Sequence, residues 1–154
     1  MEGATLEYAE GKGYNDVTEV DSNGWTLLHH AAADSQHRRG MLEVVRGLLA
    51  AMPIDDVDQK TGGGTPCGWS DLSLVCNARD AANERAEIAQ LLVEKGADLE
   101  ATNHHGTTAL MTACACGNWS CVRALLDARA NPFATNIRGK NALDVTPEDQ
   151  WQVV

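Results

Sequence analysis

Aromatic residues are few: one Phe, two Tyr and four Trp in 154 residues. A core for this chain must rest on Leu, Val, Ala and Cys, and the length allows one domain or a short stack of repeats. Basic residues are also scarce, 12 Lys and Arg against 22 Asp and Glu, for a net charge of −10. They form no cluster able to neutralise phosphates along a duplex, so nucleic acid is a poor partner. A protein with a basic surface suits the charge better, although excess acid also simply keeps a chain soluble. No apolar run approaches the ~20 residues of a membrane span. Met1-Glu2-Gly3-Ala4 lacks a basic region leading into an apolar stretch, so no secretory signal is expected. The cysteines, Cys67, Cys76, Cys114, Cys116 and Cys121, are odd in number and irregularly spaced, unlike a disulfide framework. They point to a reducing compartment inside the cell, the cytoplasm by default or an organelle.

Catalytic motifs are missing as well. Gly62, Gly63 and Gly64 lack the downstream Gly-Lys-Ser/Thr of a phosphate loop and read as a turn or insertion. No Gly-x-Ser-x-Gly or His-Glu-x-x-His occurs. Cys114, Cys116 and Cys121 near His104 and His105 invite a zinc reading, but no paired Cys-x-x-Cys spacing supports it. A Cys–His pair through Cys67 or Cys116 has no third group to orient a base or to build an oxyanion site. No catalytic residue, metal or cofactor is expected.

What the chain does have is a phrase that recurs. It opens at Gly24-Trp25-Thr26-Leu27-Leu28-His29-His30-Ala31-Ala32 and returns at Gly68-Trp69-Ser70-Asp71-Leu72-Ser73-Leu74-Val75-Cys76. The third copy is Gly106-Thr107-Thr108-Ala109-Leu110-Met111-Thr112-Ala113-Cys114, and a fading one begins at Gly139. The spacings are 44, 38 and 33 residues, the extra length lying in connections, where a longer loop costs little entropy. Thr26 or Ser70 can cap a first helix, whose buried face is marked by Leu28, Leu72, Leu110 and Leu143. A second helix follows, with apolar residues at steps of three and four around Val44, Ile88 and Cys121. Gly96 is placed to end one of these helices in the left-handed conformation. In this register Cys76 and Cys114 stand where Ala32 stands, as small buried residues. Neither helix can bury its stripe alone, so adjacent units must stack.

Asp21-Ser22-Asn23-Gly24-Trp25-Thr26-Leu27-Leu28-His29 and Ile88-Ala89-Gln90-Leu91-Leu92-Val93-Glu94-Lys95-Gly96-Ala97-Asp98 resemble the opening and close of an ankyrin repeat. The resemblance spans about residues 14 to 147. It departs at the Thr-Pro-Leu-His motif, where no opening has the Pro and only His29 keeps the His. It implies an all-α solenoid of three full helix-turn-helix repeats with partial N- and C-terminal caps and extended inter-helix loops. The expected divisions are a partial unit at 1–20, repeats near 21–64, 65–102 and 103–135, a partial unit at 136–150 and a tail at 151–154. Leu6 to Glu10 then resembles the remnant of a second helix, and Gly139 to Gln150 an opening helix without its partner.

The resemblance further implies recognition of another protein through finger-like hairpins and the concave helix face. The expected finger residues are Asp21, Asn23, Trp25, Trp69, Asn103, His104, His105, Asn136 and Arg138. His30, Asp34, Asn77 and Cys116 are expected to extend the surface along the first helices. Trp25 and Trp69, each next to an opening Gly, are candidate interface residues, or else pack on a neighbouring hairpin. A structural subunit held permanently in a larger complex is the alternative.

Overall fold

A computed structural model describes residues 3–17, 19–33, 41–51, 70–77 and 83–148. The expectations for Asp34, Cys67, Trp69, the Gly62–Gly64 loop and the Trp151 tail lie outside these residues.

Among the described residues the elements are helices: α1 (Gly3–Lys12), α2 (Leu27–Ala33), α3 (Met41–Ala51), α4 (Asp71–Cys76), α5 (Asn83–Glu94), α6 (Ala109–Cys116) and α7 (Trp119–Asp127). They pair as α2/α3, α4/α5 and α6/α7. The first helices α2, α4 and α6 pack side by side in one row, and α1, α3, α5 and α7 in a second. Such short helices are marginal alone and hold their shape through packing.

Each first helix is started by one device. The hydroxyls of Thr26, Ser70 and Thr108 accept the N–H three residues on, from His29 (3.2 Å), Ser73 (3.3 Å) and Met111 (3.3 Å). This satisfies an N–H that the first turn leaves open. Asn118 does the same for α7, accepting from Cys121 N at 3.3 Å. The core runs between the rows through Leu28, Leu48, Leu72, Leu92, Leu110 and Leu125. Val44, Ile88 and Cys121 are buried together in the second row, and Ala32, Cys76 and Cys114 in the first.

Polar side chains tie one repeat to the next. Glu84 of α5 accepts the Leu42 N–H at 2.9 Å, setting a carboxylate at the start of α3 where the helix dipole favours it. Arg85 donates to the carbonyls of Ala32 (3.3 Å) and Val75 (3.4 Å), at the ends of α2 and α4. Glu100 accepts the Asn131 N–H at 2.7 Å.

The fourth opening departs from expectation. Leu28, Leu72 and Leu110 are 0%, 1% and 2% exposed, but Leu143 is 55% exposed. The cap is present: Asn141 accepts from the N–H groups of Leu143 and Asp144, and Asp144 accepts from that of Asn141. The helix does not propagate, because Pro147 cannot continue it and no following helix among the described residues covers Leu143.

Candidate functional site

Three hairpin fingers have one geometry. In each, an Asp or Asn side chain accepts two N–H groups, two and four residues ahead. Asp21 takes those of Asn23 (2.7 Å) and Trp25 (2.9 Å); Asn103 takes those of His105 (2.9 Å) and Thr107 (3.0 Å); Asn136 takes those of Arg138 (2.9 Å) and Lys140 (3.1 Å). The main chain closes the same loop through Asp21 N to Trp25 O (2.9 Å), Asn103 N to Thr107 O (3.2 Å) and Asn136 N to Lys140 O (2.9 Å). Gly24, Gly106 and Gly139 turn each tip at φ 73°, 69° and 69°, a conformation that favours glycine. At Gly106 a side chain would also crowd the Ile137 backbone of the next finger.

The geometry divides the expected finger residues by task. Asp21, Asn103 and Asn136 use their side-chain oxygens to fold their own turns. Asn23, His104, His105 and Arg138 are exposed at the tips. Numbered by repeat, these are fingers one (Asp21), three (Asn103) and four (Asn136), and fingers three and four are joined directly, Ile137 N donating to His105 O at 3.1 Å.

Finger one has a side-chain cluster behind it. The Trp25 ring lies 5.0 Å from that of His30 and 6.1 Å from that of His29, and Tyr14 meets His30 edge-on at 5.8 Å. The Tyr14 hydroxyl donates to Trp25 O at 2.8 Å, and His30 Nε2 is 3.1 Å from Asp21 Oδ2. Trp25 is therefore half-buried within its own repeat. Burial pushes the Asp21 carboxyl up, but the N–H groups of Trp25 and Asn23 and the His30 ring outweigh this and hold it below its ordinary value. Sequence reasoning missed Tyr14, since a lone tyrosine upstream of the repeat carries no pattern.

His29 is buried inside the opening turn. Its Nδ1 accepts the Thr26 N–H at 3.2 Å and stands 3.6 Å from the buried Asp71 carboxylate of the next repeat. Asp71 takes the place where the family motif has Pro, so the departure seen in the sequence becomes a polar contact across the repeat boundary.

On the first-helix row Cys116 Sγ lies 3.5 Å from both the main-chain and side-chain oxygens of Asn77, bringing these two expected surface residues together. The other cysteines part company. Cys76 pairs with Cys121, and its thiol is pushed well up by the hydrogen bond to Cys121 and by burial; Cys114 is pushed up by burial. Among the described residues no three of His, Cys, Asp and Glu converge as metal ligands. The second row has a groove of about 340 Å³ between α5 and α7, lined by Gln90, Trp119, Arg123 and Asp127 among others.

Helix pairs stacked in two rows, with hairpins of one geometry ahead of α2 and α6, define a repeat solenoid. Ankyrin repeat profiles match residues 23–61 and 81–145, and the chain belongs to the ankyrin repeat family. Among its relatives is the E3 ubiquitin-protein ligase XBAT33 of Arabidopsis thaliana, 45% identical over 64 residues, 41% of this chain and 12% of the relative. An ankyrin repeat protein of Acanthamoeba polyphaga mimivirus, R664, is 29% identical over 80 residues, 52% of this chain and 49% of the relative. Mouse protein phosphatase 1 regulatory subunit 12A is 30% identical over 118 residues, 77% of this chain and 10% of the relative. The chain spans about half or less of the length of such relatives. Membership supports a protein–protein interaction module. Among the described residues no helix is long and apolar enough to cross a membrane.

Proposed function

We propose that the chain is a non-catalytic module that grips another protein through its fingers and the adjoining first-helix face, the concave one in a curved stack. The observation that carries this is the repeated turn. Three fingers spend their Asp or Asn side chains on their own shape and leave the tip residues Asn23, His104, His105 and Arg138 outward. A surface folded before its partner arrives loses little entropy on binding. Asn77 and Cys116 continue it along the first helices, and the acidic cluster of Asp16, Glu19 and Asp21 around finger one suits a basic segment of the partner. Cys76, Cys114, Cys116 and Cys121 are thiols rather than disulfide halves, which favours a reducing compartment.

The test is affinity capture from native extract with the natural chain and with Asn23→Ala, His104→Ala and Arg138→Ala combined. Loss of a captured protein with helical content intact supports the reading. A protein retained unchanged by the variant places the interface elsewhere.

One observation favours the second reading, an accessory subunit of a permanent complex. Phe133 and Leu143 are 80% and 55% exposed at one end of the stack, an apolar surface of the kind that obligate partners cover. Gel filtration of native extract separates the two, since a permanent subunit never runs at the size of the free chain.

A further inference from the structure

The charge of this chain is unevenly placed. Between residues 101 and 143 the only carboxylate is Asp127, set against Arg123, Arg129, Arg138 and Lys140. Asp127 lies on α7, in the groove of the second row and away from the finger tips. Arg138, Lys140, His104 and His105 are all exposed on fingers three and four. Neither Arg138 nor Lys140 has a carboxylate within ion-pair distance among the described residues; the nearest carboxylate in sequence, Asp144, accepts the Asn141 N–H. Next to Arg138 in the same finger is Ile137, 71% exposed, its N–H held by His105 O. Finger one is the reverse, with Asp16, Glu19 and Asp21 and no Lys or Arg between residues 13 and 33.

We infer that fingers three and four form a docking edge for an acidic protein segment bearing an apolar side chain, which would cover Ile137 while its carboxylates meet Arg138 and Lys140. The inference rests on the proposed binding function and adds the chemistry of the partner. An exposed isoleucine gains by leaving water, roughly in proportion to the area covered. Unpaired cations at a rim steer an oppositely charged segment and set its register more than they add affinity. The backbone bond from Ile137 N to His105 O holds the two fingers together, so the apolar residue and its neighbouring cations are presented as one unit. The net charge of −10 belongs to the rest of the chain, so a partner judged by that total has the wrong sign for this edge. It also argues against nucleic acid, whose phosphates would meet acid beyond these two fingers.

The test uses the full chain and a short fluorescent peptide with a leucine flanked by glutamates, beside the same peptide with lysines for glutamates. The glutamate peptide should bind, and Arg138→Glu with Lys140→Glu should weaken it about tenfold or more at low salt. Ile137→Ser should weaken it at any salt, and Arg46→Glu, on α3, should leave it unchanged. Equal or tighter binding of the lysine peptide overturns the inference, as does indifference to the charge reversal. So does displacement of the glutamate peptide by single-stranded RNA at equal charge concentration. If proteins are still captured from extract with Arg138 and Lys140 reversed, the charge assignment fails and the binding function stands. If neither peptide binds and no protein is captured, both fail.

Discussion

Arg129 holds, at the end of α7, the left-handed backbone that Gly96 holds at the end of α5, with φ of 74° and 96°. The bonds around them match. Ala97 N donates to Leu92 O and Ala130 N to Leu125 O, both at 3.0 Å. A side chain in this conformation costs about 1–2 kcal/mol, part of which glycine returns as chain entropy when unfolded. Arg129→Gly should therefore stabilise the stack by roughly 0.5–1 kcal/mol in urea denaturation. An unchanged midpoint would show that the Arg129 side chain makes up the difference elsewhere.

Gly47 tests how tightly α1 is held. A Cβ there would collide with the Thr5 hydroxyl and press on its Cβ. Alanine ordinarily favours a helix, but here crowding should dominate, and Gly47→Ala should destabilise by about 1 kcal/mol or more. Adding Thr5→Ala removes the hydroxyl and should recover part of the loss. A stabilised single variant would mean that α1 moves aside at no cost.

Glu84 reaches across a repeat boundary to the start of α3. Glu84→Ala should cost about 1 kcal/mol, through the lost charged hydrogen bond at a helix N-terminus. Hydrogen exchange should quicken first at the Leu42 amide. Uniform quickening throughout the chain would assign Glu84 a different role.

Trp25 packs on His29 and His30, so Trp25→Ala should lower stability as well as affinity, by about 2 kcal/mol for a half-buried indole. Thermal melting and binding measured on the same samples separate the two effects. A variant that melts normally yet no longer binds would make Trp25 chiefly a contact residue.

Asp21 gives a pH dependence. Its folded carboxyl lies below its ordinary value of 3.8, so its contribution is fully present above that pH and is lost as pH falls through the folded value. Denaturation midpoints should drop below about pH 4 more steeply for the natural chain than for Asp21→Asn. Parallel profiles would show that other carboxyls carry the acid sensitivity.

Most of the helical framework is legible in the sequence because burial in a stack is periodic. The stripes through Leu28, Leu72 and Leu110 and the caps at Thr26 and Ser70 recur at matching offsets, and recurrence is visible without coordinates. The exceptions arise where one copy lacks what the others have. Position 143 has the inner-stripe leucine with no helix among the described residues to cover it, and position 129 has the turn without the glycine that announces it. The candidate site was legible by position and less so by task. A hairpin Asp or Asn reads as a surface residue, yet in Asp21, Asn103 and Asn136 the side-chain oxygen is turned back on its own backbone. Asp71 looked like an irregularity until the fold set it beside His29, 42 residues earlier.

Each polar link described between repeats, from Leu42–Glu84 to His105–Ile137, spans a single boundary. Damage at one joint is therefore felt by its two neighbours and little beyond. Heat should peel such a chain from its weakest end, so its melting curve records a sequence of partings, and two probes placed at opposite ends should report different temperatures.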